Sequence, residues 1–297
     1  MNYSVKLFSR IGELLQGMLP DQSHFLVSGI PSRHFFSEAV LQDDPEGKGI
    51  QLPEKTMNAL RFMLGRYAQY NNSSLSNVTD EQLLNALLPG KTIQLSSNIP
   101  QGKGLSSSST DILSVLHVVN DYLQGGLQHH ELYAMAATIE PTDPCLSDCI
   151  VVFKQRTGNI HRIVPLPPLS VVYFDSEPAR QVNTLQLKRQ YSTEAADFFA
   201  FLLNSFMLAA EREDYATLFD CITQSSVHNQ SIVAINSFEQ YHQLAKQLQT
   251  GLMVAHSGTV IGFVTRPDQL HTVLPKIEQV VNYRPSIKVY TETWAPY

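Results

Sequence analysis

The sequence predicts an α+β protein that is divided into two lobes. Strand-like and helical segments are grouped along the chain rather than strictly alternating, and a run of three helical patterns begins near residue 192. The chain has 297 residues, of which 43% are hydrophobic and 16% are charged, enough for about two domains with apolar cores. We therefore expect one lobe over residues 1–175 and a second over residues 176–297.

The first part of the chain contains three strand-like segments, then two helical segments and a fourth strand-like segment. Short runs of β-branched and aromatic residues are separated by Gly, Pro, Asp and Ser clusters. Two stretches carry apolar residues at helical spacing, and Thr79 or Asp80 can cap the second. The predicted strands are Tyr3–Phe8, His24–Ile30, His34–Leu41 and Lys91–Ser96, and the predicted helices are Pro53–Tyr70 and Asp80–Leu88.

In the remainder of the chain, a long apolar helix ends at two glycines. A helical region further along is followed by strands. The predicted helices here are Ile112–Leu123, Glu131–Ile139, Phe198–Glu211, Tyr215–Ile222, Phe238–Leu248 and Asp268–Val281. The predicted strands are Cys149–Phe153, Ser170–Asp175, Gly251–His256, Val260–Thr265 and Ile287–Thr293.

Charge and cysteine content exclude several classes of protein. The 21 Lys and Arg residues against 27 Asp and Glu residues give a net charge of −6, and no basic run offers a surface for nucleic acid or an anionic membrane. Three cysteines cannot form a disulfide framework. We find neither a signal peptide nor about 18 consecutive apolar residues, so we expect no membrane partner and a cytoplasmic protein.

One segment between a predicted strand and a predicted helix indicates phosphate binding. Glycines let a backbone approach an anion closely, and the first turn of a helix offers unpaired N–H groups. Serine hydroxyls add donors, and one of them can also be an oxygen ligand of Mg²⁺. The residues predicted to contact the cofactor are Pro100, Gly102, Lys103, Gly104, Leu105, Ser106, Ser107, Ser108 and Ser109.

Simpler explanations of this segment are weaker. One Ser or Thr is often only a helix N-cap, but five consecutive hydroxyl residues exceed any capping need. A Walker A loop would require a glycine at Asn98 and a hydroxyl residue at Gly104. Cys145 and Cys149 lack a second ligand pair for zinc, and no Gly-x-Ser-x-Gly elbow surrounds Ser257.

The segment Pro100-Gln-Gly-Lys-Gly-Leu-Ser-Ser-Ser-Ser109 resembles the second motif of the GHMP kinases, Pro-x-x-x-Gly-Leu-x-Ser-Ser-Ala. Gly12-Glu-Leu-Leu-Gln-Gly17 resembles their first motif, and residues 251–262 lie where the family has a glycine-rich loop. Together with Glu140-Pro-Thr-Asp143 and Ala255-His-Ser-Gly-Thr259, these strings look like the branch that contains the L-threonine kinase of cobalamin assembly and propanediol utilisation.

This resemblance implies a two-lobed GHMP kinase fold, with an N-terminal lobe like ribosomal protein S5 and a C-terminal ferredoxin-like α/β lobe. It implies ATP and Mg²⁺ as cofactors, with Ser108 and Glu140 as the metal ligands. Asp148 matches the general base of the family, and Asp143 is the second choice. The residues that the resemblance places on the acceptor side are Glu13, Gln16, His256, Ser257, Gly258 and Thr259.

The expected activity is transfer of the γ-phosphate of ATP to the hydroxyl group of a small amino acid or small alcohol, with L-threonine as the leading acceptor. The alternatives are a homoserine kinase or another small-alcohol kinase of the same family, and a homologue that binds a nucleotide or metabolite without turnover. We expect a monomer or a homodimer.

Overall fold

The computed structural model describes residues 3–71, 75, 78–183, 187, 191–281 and 286–296. Within these ranges the chain forms nine β-strands and eight α-helices. The strands are β1 (Tyr3–Met18), β2 (His24–Asp43), β3 (Lys91–Ser97), β4 (Val151–Lys154), β5 (Asn159–Ile163), β6 (Leu169–Asp175), β7 (Gly251–Val254), β8 (Val260–Thr265) and β9 (Tyr290–Trp294). The helices are α1 (Glu54–Asn71), α2 (Asp80–Leu87), α3 (Ser107–Leu123), α4 (His129–Ile139), α5 (Thr193–Glu211), α6 (Tyr215–Asn229), α7 (Phe238–Leu248) and α8 (Leu270–Val281).

The first sheet is built on a long antiparallel hairpin of β1 and β2. Its strand order is β1-β2-β4-β5, and β3 pairs with the other end of β2. We predicted short strands here and were wrong about the breaks, because β1 continues through the first motif and β2 continues through Pro31. Two register irregularities in β1, at Phe8/Arg10 and at Glu13/Leu15, allow the pairing to continue past the motif.

Helices α1, α3 and α4 cover one face of this sheet. Leu60 and Leu64 of α1, Ile112 and Leu116 of α3, and Leu132 of α4 are fully buried in one apolar cluster. The cluster accounts for the helical spacing of apolar residues seen in the sequence. It also fixes the start of α3 and the end of α4 relative to the sheet.

The second sheet has the order β7-β8-β6-β9 with antiparallel neighbours. Val172 and Phe174 pack toward α7 and α8, whereas Val171 and Tyr173 join an apolar cluster shared with α5, α6 and the first sheet. Alternate side chains of β6 therefore pack on opposite faces of the second sheet, and both faces are buried. Because β6 pairs only within this sheet, the pairing favours a lobe boundary between β5 and β6, whereas the division at residue 176 stays a prediction.

Most of the remaining elements lie where the sequence placed them. Thr79 caps α2 in a capping box with Gln82, which decides between the two predicted caps. Strand β5 was missed because all five of its residues are exposed and carry no apolar alternation. None of the helices in the described ranges has the length and apolar character needed to cross a membrane.

Candidate active site

A cavity of about 670 Å³ opens beside the start of α3. Its walls come from the start of α1, the segment 101–111, the segment after α4, β1 and the segment after β6. The lining residues include four of the predicted cofactor serines, both predicted acidic residues of the Glu140-Pro-Thr-Asp143 string, and two of the predicted acceptor residues. These are Ser106, Ser107, Ser108, Ser109, Glu140, Asp143, Glu13 and Ser257.

Residues 102–109, which we call the serine loop, have the backbone geometry of an anion site. Gly102 and Gly104 adopt left-handed conformations with φ of +69° and +79°. Ser106 is the N-cap of α3, but its side chain makes no capping hydrogen bond to the helix. The serines therefore do not act as an ordinary cap, and the first amides of α3 face the cavity without a capping side chain.

Lys103 lies in this loop, but its ammonium group contacts residues at the end of β6 and in the segment that follows it. The residue is 5% exposed, and its Nζ atom lies 2.7 Å from Oδ2 of Asp175. Nζ also donates to the carbonyl oxygens of Glu177, Pro178 and Arg180 at 2.9, 2.9 and 2.5 Å. The prediction that Lys103 contacts phosphate is therefore replaced by a structural role, in which it ties the serine loop to the end of β6.

Pro100 and Leu105 likewise lie outside the cavity that the serines line. Both line a smaller pocket of about 160 Å³ on the other side of the loop, together with Phe35 and Tyr290. Leu105 is 3% exposed and belongs to the apolar cluster between the sheets. These two residues support the loop from beneath, whereas Gly102, Gly104 and the four serines face the cavity.

The predicted metal ligands Ser108 and Glu140 line the same cavity. Glu140 directly follows α4, is 6% exposed, and forms an ion pair with Lys55 near the start of α1. No cluster of three or more His, Cys, Asp or Glu residues suited to a metal occurs among the described residues. A serine hydroxyl and one carboxylate fit a Mg²⁺ ion that keeps water and takes its other ligands from phosphate oxygens.

The two candidate bases differ in position. Asp143 lines the cavity; its backbone N–H donates to Oγ of Ser109 at 3.0 Å, and Nε2 of Gln155 donates to Oδ1 at 3.3 Å. Burial raises the pKa of the Asp143 carboxyl group. Asp148 is exposed, lies outside the cavity lining, and its carbonyl oxygen accepts from the indole of Trp294. Of the two aspartates, Asp143 therefore lies in the cavity lining, whereas Asp148 does not.

The chain is similar in sequence to known kinases. Residues 74–153 match the model of the GHMP kinases N terminal domain. The L-threonine kinase of Salmonella typhimurium is 26% identical over 178 residues, which cover 58% of this chain and 59% of that protein. The L-threonine kinase of Citrobacter freundii is 23% identical over 217 residues, which cover 67% and 75%.

Solved structures show the same fold over nearly the whole chain. The homoserine kinase from Cytophaga hutchinsonii superposes with a TM-score of 0.64 at 15% identity and covers 98% of this chain and 94% of that one. MDDEF in complex with MVAPP, AMPPCP and magnesium gives a TM-score of 0.60 at 12% identity and covers both chains fully. Residues 74–153 are therefore similar to the N-terminal domain of the GHMP kinases, and the whole chain shares the fold of these solved structures. The two-lobed fold predicted from the motifs is confirmed.

In this GHMP kinase fold, the first and third motifs meet at the cavity. The buried Glu13 carboxylate accepts a hydrogen bond from the backbone N–H of His256, and Glu13 and Ser257 both line the cavity. The other predicted acceptor residues lie behind them. Nδ1 of His256 is 3.0 Å from Oε1 of Gln16, and the backbone N–H of Gln16 donates to Oγ of Ser225.

Gly258 and Thr259 hold the third motif against the serine loop. The backbone N–H of Thr259 donates to the carbonyl oxygen of Lys103 at 3.1 Å, and its hydroxyl donates to Asp175. A Cβ atom at Gly258 would lie 2.0 Å from the Lys103 carbonyl oxygen, so only glycine permits this approach. Gly258 and Thr259 therefore contact the serine loop, Gln16 and His256 contact each other behind it, and Glu13 and Ser257 line the cavity.

Several residues that line or support this cavity were missed by sequence reasoning. Lys55, Asp111 and Gln155 line the cavity but belong to no sequence motif that identifies them. Residues 181–183, which follow β6 in the chain, also line it. Arg10 lies outside the cavity lining, but its buried guanidinium donates to the carbonyl oxygens of Pro144, Ser147 and Cys149 in the segment that follows Asp143, and to that of Gly29 in β2.

Proposed function

We propose that the protein transfers the γ-phosphoryl group of ATP to the hydroxyl group of a small metabolite, with L-threonine as the acceptor. The observation that carries the proposal is the single cavity into which the serine loop, Glu140 and Asp143 all face. Phosphoryl transfer requires positioning and charge neutralisation more than covalent chemistry by the protein. A helix N-terminus, a serine and a carboxylate that line the same cavity, and a second, desolvated carboxylate fulfil these needs.

Each part of the cavity has a role in this reaction. The amides at the start of α3 and the serine hydroxyls bind phosphate oxygens. Ser108 and Glu140 would hold Mg²⁺, which when bound neutralises charge on the phosphates. Lys55, which pairs with Glu140, is the cation that lines the cavity within the described ranges, and it can move between the carboxylate and a phosphate.

The proton of the acceptor hydroxyl goes to Asp143 in this proposal. As the hydroxyl oxygen bonds to the γ-phosphorus, the bond from that phosphorus to the bridging β-γ oxygen breaks and ADP leaves. Asp143 accepts the hydroxyl proton and later releases it to water. The Ser109 hydroxyl and Nε2 of Gln155 donate to the carboxyl group at 3.5 and 3.3 Å, and its raised pKa makes it a stronger base than an ordinary aspartate.

L-threonine is preferred as acceptor because both L-threonine kinases named above align with this chain in sequence. The match to the Salmonella protein spans less than two thirds of its length, so the acceptor is our proposal. Homoserine is the second candidate, because a homoserine kinase shares the fold over almost the whole chain. A place in cobalamin assembly stays a prediction that depends on turnover of threonine.

The proposal is tested by ADP release from Mg-ATP with L-threonine, L-serine, L-homoserine, mevalonate and simple sugars, with products identified by mass. Turnover that requires L-threonine and yields O-phosphothreonine supports the full proposal. Turnover of homoserine alone would retain the kinase and replace the acceptor. Nucleotide binding without turnover on any acceptor would contradict the proposed activity and favour a binding protein.

A further inference from the structure

The side chain of Arg10 connects the first sheet to the segment that follows Asp143. Arg10 is 2% exposed and lies in β1. Its Nη1 atom donates to the carbonyl oxygen of Gly29 in β2 at 3.0 Å. Its Nη2 atom donates to three carbonyl oxygens of that segment, which belong to Pro144, Ser147 and Cys149. One guanidinium group therefore fastens residues 144–149 to the β1–β2 hairpin.

Residues 144–149 have no helix or strand of their own to fix their path. The backbone hydrogen bonds inside the segment are short turns, in which the N–H of Cys145 donates to Asp143 and that of Ser147 donates to Pro144. A guanidinium group presents several donors in a rigid planar fork, whereas the ammonium group of a lysine is a single point of charge. An arginine can therefore hold several carbonyl groups of one segment in a fixed arrangement.

The charge of Arg10 is not balanced by an ion pair. All four of its hydrogen-bond acceptors are neutral carbonyl oxygens, and the carboxylates of Asp148 and Asp143 interact with it only at longer range. Burying a cation in this way is costly, and an apolar side chain would fill the same space without that cost. The hydrogen bonds that define the backbone path of the segment are what an arginine adds at this position.

The first residue that this path positions is Asp143. It directly precedes Pro144, whose ring restricts the backbone of the residue before it and whose carbonyl oxygen accepts from Arg10 at 3.2 Å. On the cavity side, the Ser109 hydroxyl and Nε2 of Gln155 donate to the Asp143 carboxyl group. We propose that Arg10 is a positioning residue for phosphoryl transfer, which fixes the backbone beside Asp143 so that its carboxylate stays directed into the cavity. This inference rests on the proposed function, since it requires Asp143 to act as the base.

A double-mutant cycle in kcat separates positioning of Asp143 from a general contribution to folding. Arg10→Lys keeps the positive charge and loses the planar fork. Because misplacing a reacting group by about 1 Å costs on the order of a hundredfold in rate, we expect kcat to fall by about that factor while KM for Mg-ATP is unchanged. In the Asp143→Asn background the same substitution should have little further effect. In the Asp148→Asn background the full loss should remain.

The matched control is Arg162→Lys, because Arg162 is an exposed arginine that pairs with Glu211 far from the segment. All rates are measured well below the Tm of each variant. The neutral variant Arg10→Gln repeats the cycle without a buried charge, so the result does not depend on one variant folding. An unchanged kcat in the Arg10 variants would overturn the inference. An equal loss with and without Asp143, or a loss that disappears only in the Asp148→Asn background, would overturn it as well.

Hydrogen exchange tests the contact without relying on catalysis. The backbone N–H of Leu146 donates to the Tyr133 hydroxyl, and that of Cys149 donates to the Ser147 hydroxyl. Both amides should exchange about tenfold faster in Arg10→Lys, while those of α7 keep their wild-type rates. Unchanged exchange of both amides would overturn the inference and leave the proposed function standing. If the wild type transfers phosphate to no acceptor, the proposed function fails and the inference fails with it, whatever the exchange rates.

Discussion

Nζ of Lys103 lies 2.7 Å from Oδ2 of Asp175, so a partly buried ion pair joins the serine loop to the last residue of β6. Asp175 also accepts from the hydroxyl of Thr259 and from the backbone N–H of Glu177. One carboxylate therefore connects the second motif, the third motif and the segment that follows β6. The arrangement positions the loop without placing a lysine on the phosphates.

We expect Lys103→Met to destabilise the protein and to impair nucleotide binding. Removing one member of a buried pair costs about 3 to 5 kcal/mol, and the lower end applies because Asp175 keeps a quarter of its side-chain surface exposed. Chemical denaturation measures the loss of stability, with the exposed Lys276→Met as control. The double variant Lys103→Met/Asp175→Asn should recover part of the loss. Wild-type stability in Lys103→Met would show that the ion pair contributes nothing.

Ser108→Ala and Glu140→Gln should lower kcat strongly while leaving the fold intact. Each change removes a proposed oxygen ligand of Mg²⁺, and loss of one group that stabilises transition-state charge costs roughly 10²–10³ in rate. Steady-state kinetics at several Mg²⁺ concentrations measure this, with Glu81→Gln in α2 as an exposed control. A Mg²⁺ requirement shifted to higher concentration is expected for both variants. Near-wild-type kcat in both would contradict the metal assignment.

The presence of Ser108 and Glu140 in one cavity was predictable from the sequence, whereas the different positions of the two aspartates were not. Helix α3 begins at Ser107 and α4 ends at Ile139, and the short connection between them makes the pair antiparallel. The segment 140–150 has no helix or strand, so its path depends on Arg10, a residue more than 130 positions earlier. A contact between residues so far apart in the chain cannot be predicted from a local sequence pattern.

The role of Lys103 was unpredictable for the same reason. A lysine in a glycine loop suggests a phosphate contact when only its neighbours in sequence are considered. Its actual partners lie at the end of β6, which the pairing of distant strands brings beneath the loop. Asp111 carried no sequence signal either, because it follows the motif within an apolar helix.

Asp143→Asn should abolish most of the activity, whereas Asp148→Asn should retain it. Loss of a general base costs about 10²–10⁴ in kcat. Because burial raises the pKa of Asp143, the wild-type rate should fall with decreasing pH at values above those of an ordinary aspartate, as the base becomes protonated. A pH profile of kcat/KM measures this limb, which Asp143→Asn should lack. The reverse result for the two aspartates would restore Asp148 as the base.

The raised pKa of Asp143 also predicts how stability depends on pH. A carboxyl group whose folded-state pKa exceeds its unfolded value contributes stability that is fully present below the unfolded pKa of about 3.8. That contribution is lost as the pH rises through the folded pKa. Asp143→Asn stays neutral at every pH, so its Tm relative to wild type should rise between pH 4 and pH 8. A constant Tm difference over this range would contradict the prediction.

Gly258→Ala should disrupt the contact between the third motif and the serine loop. The added Cβ would lie 2.0 Å from the Lys103 carbonyl oxygen, which accepts the N–H groups of Thr259 and Val260. Since backbone atoms cannot yield as a flexible side chain does, the two loops must separate, and we expect lower Tm and weaker nucleotide binding. Gly65→Ala is the matched control, because its Cβ would meet no atom within 4 Å in helix α1 and alanine stabilises a helix interior by about 1 kcal/mol. Equal Tm values for the two variants would show that the close approach is not required.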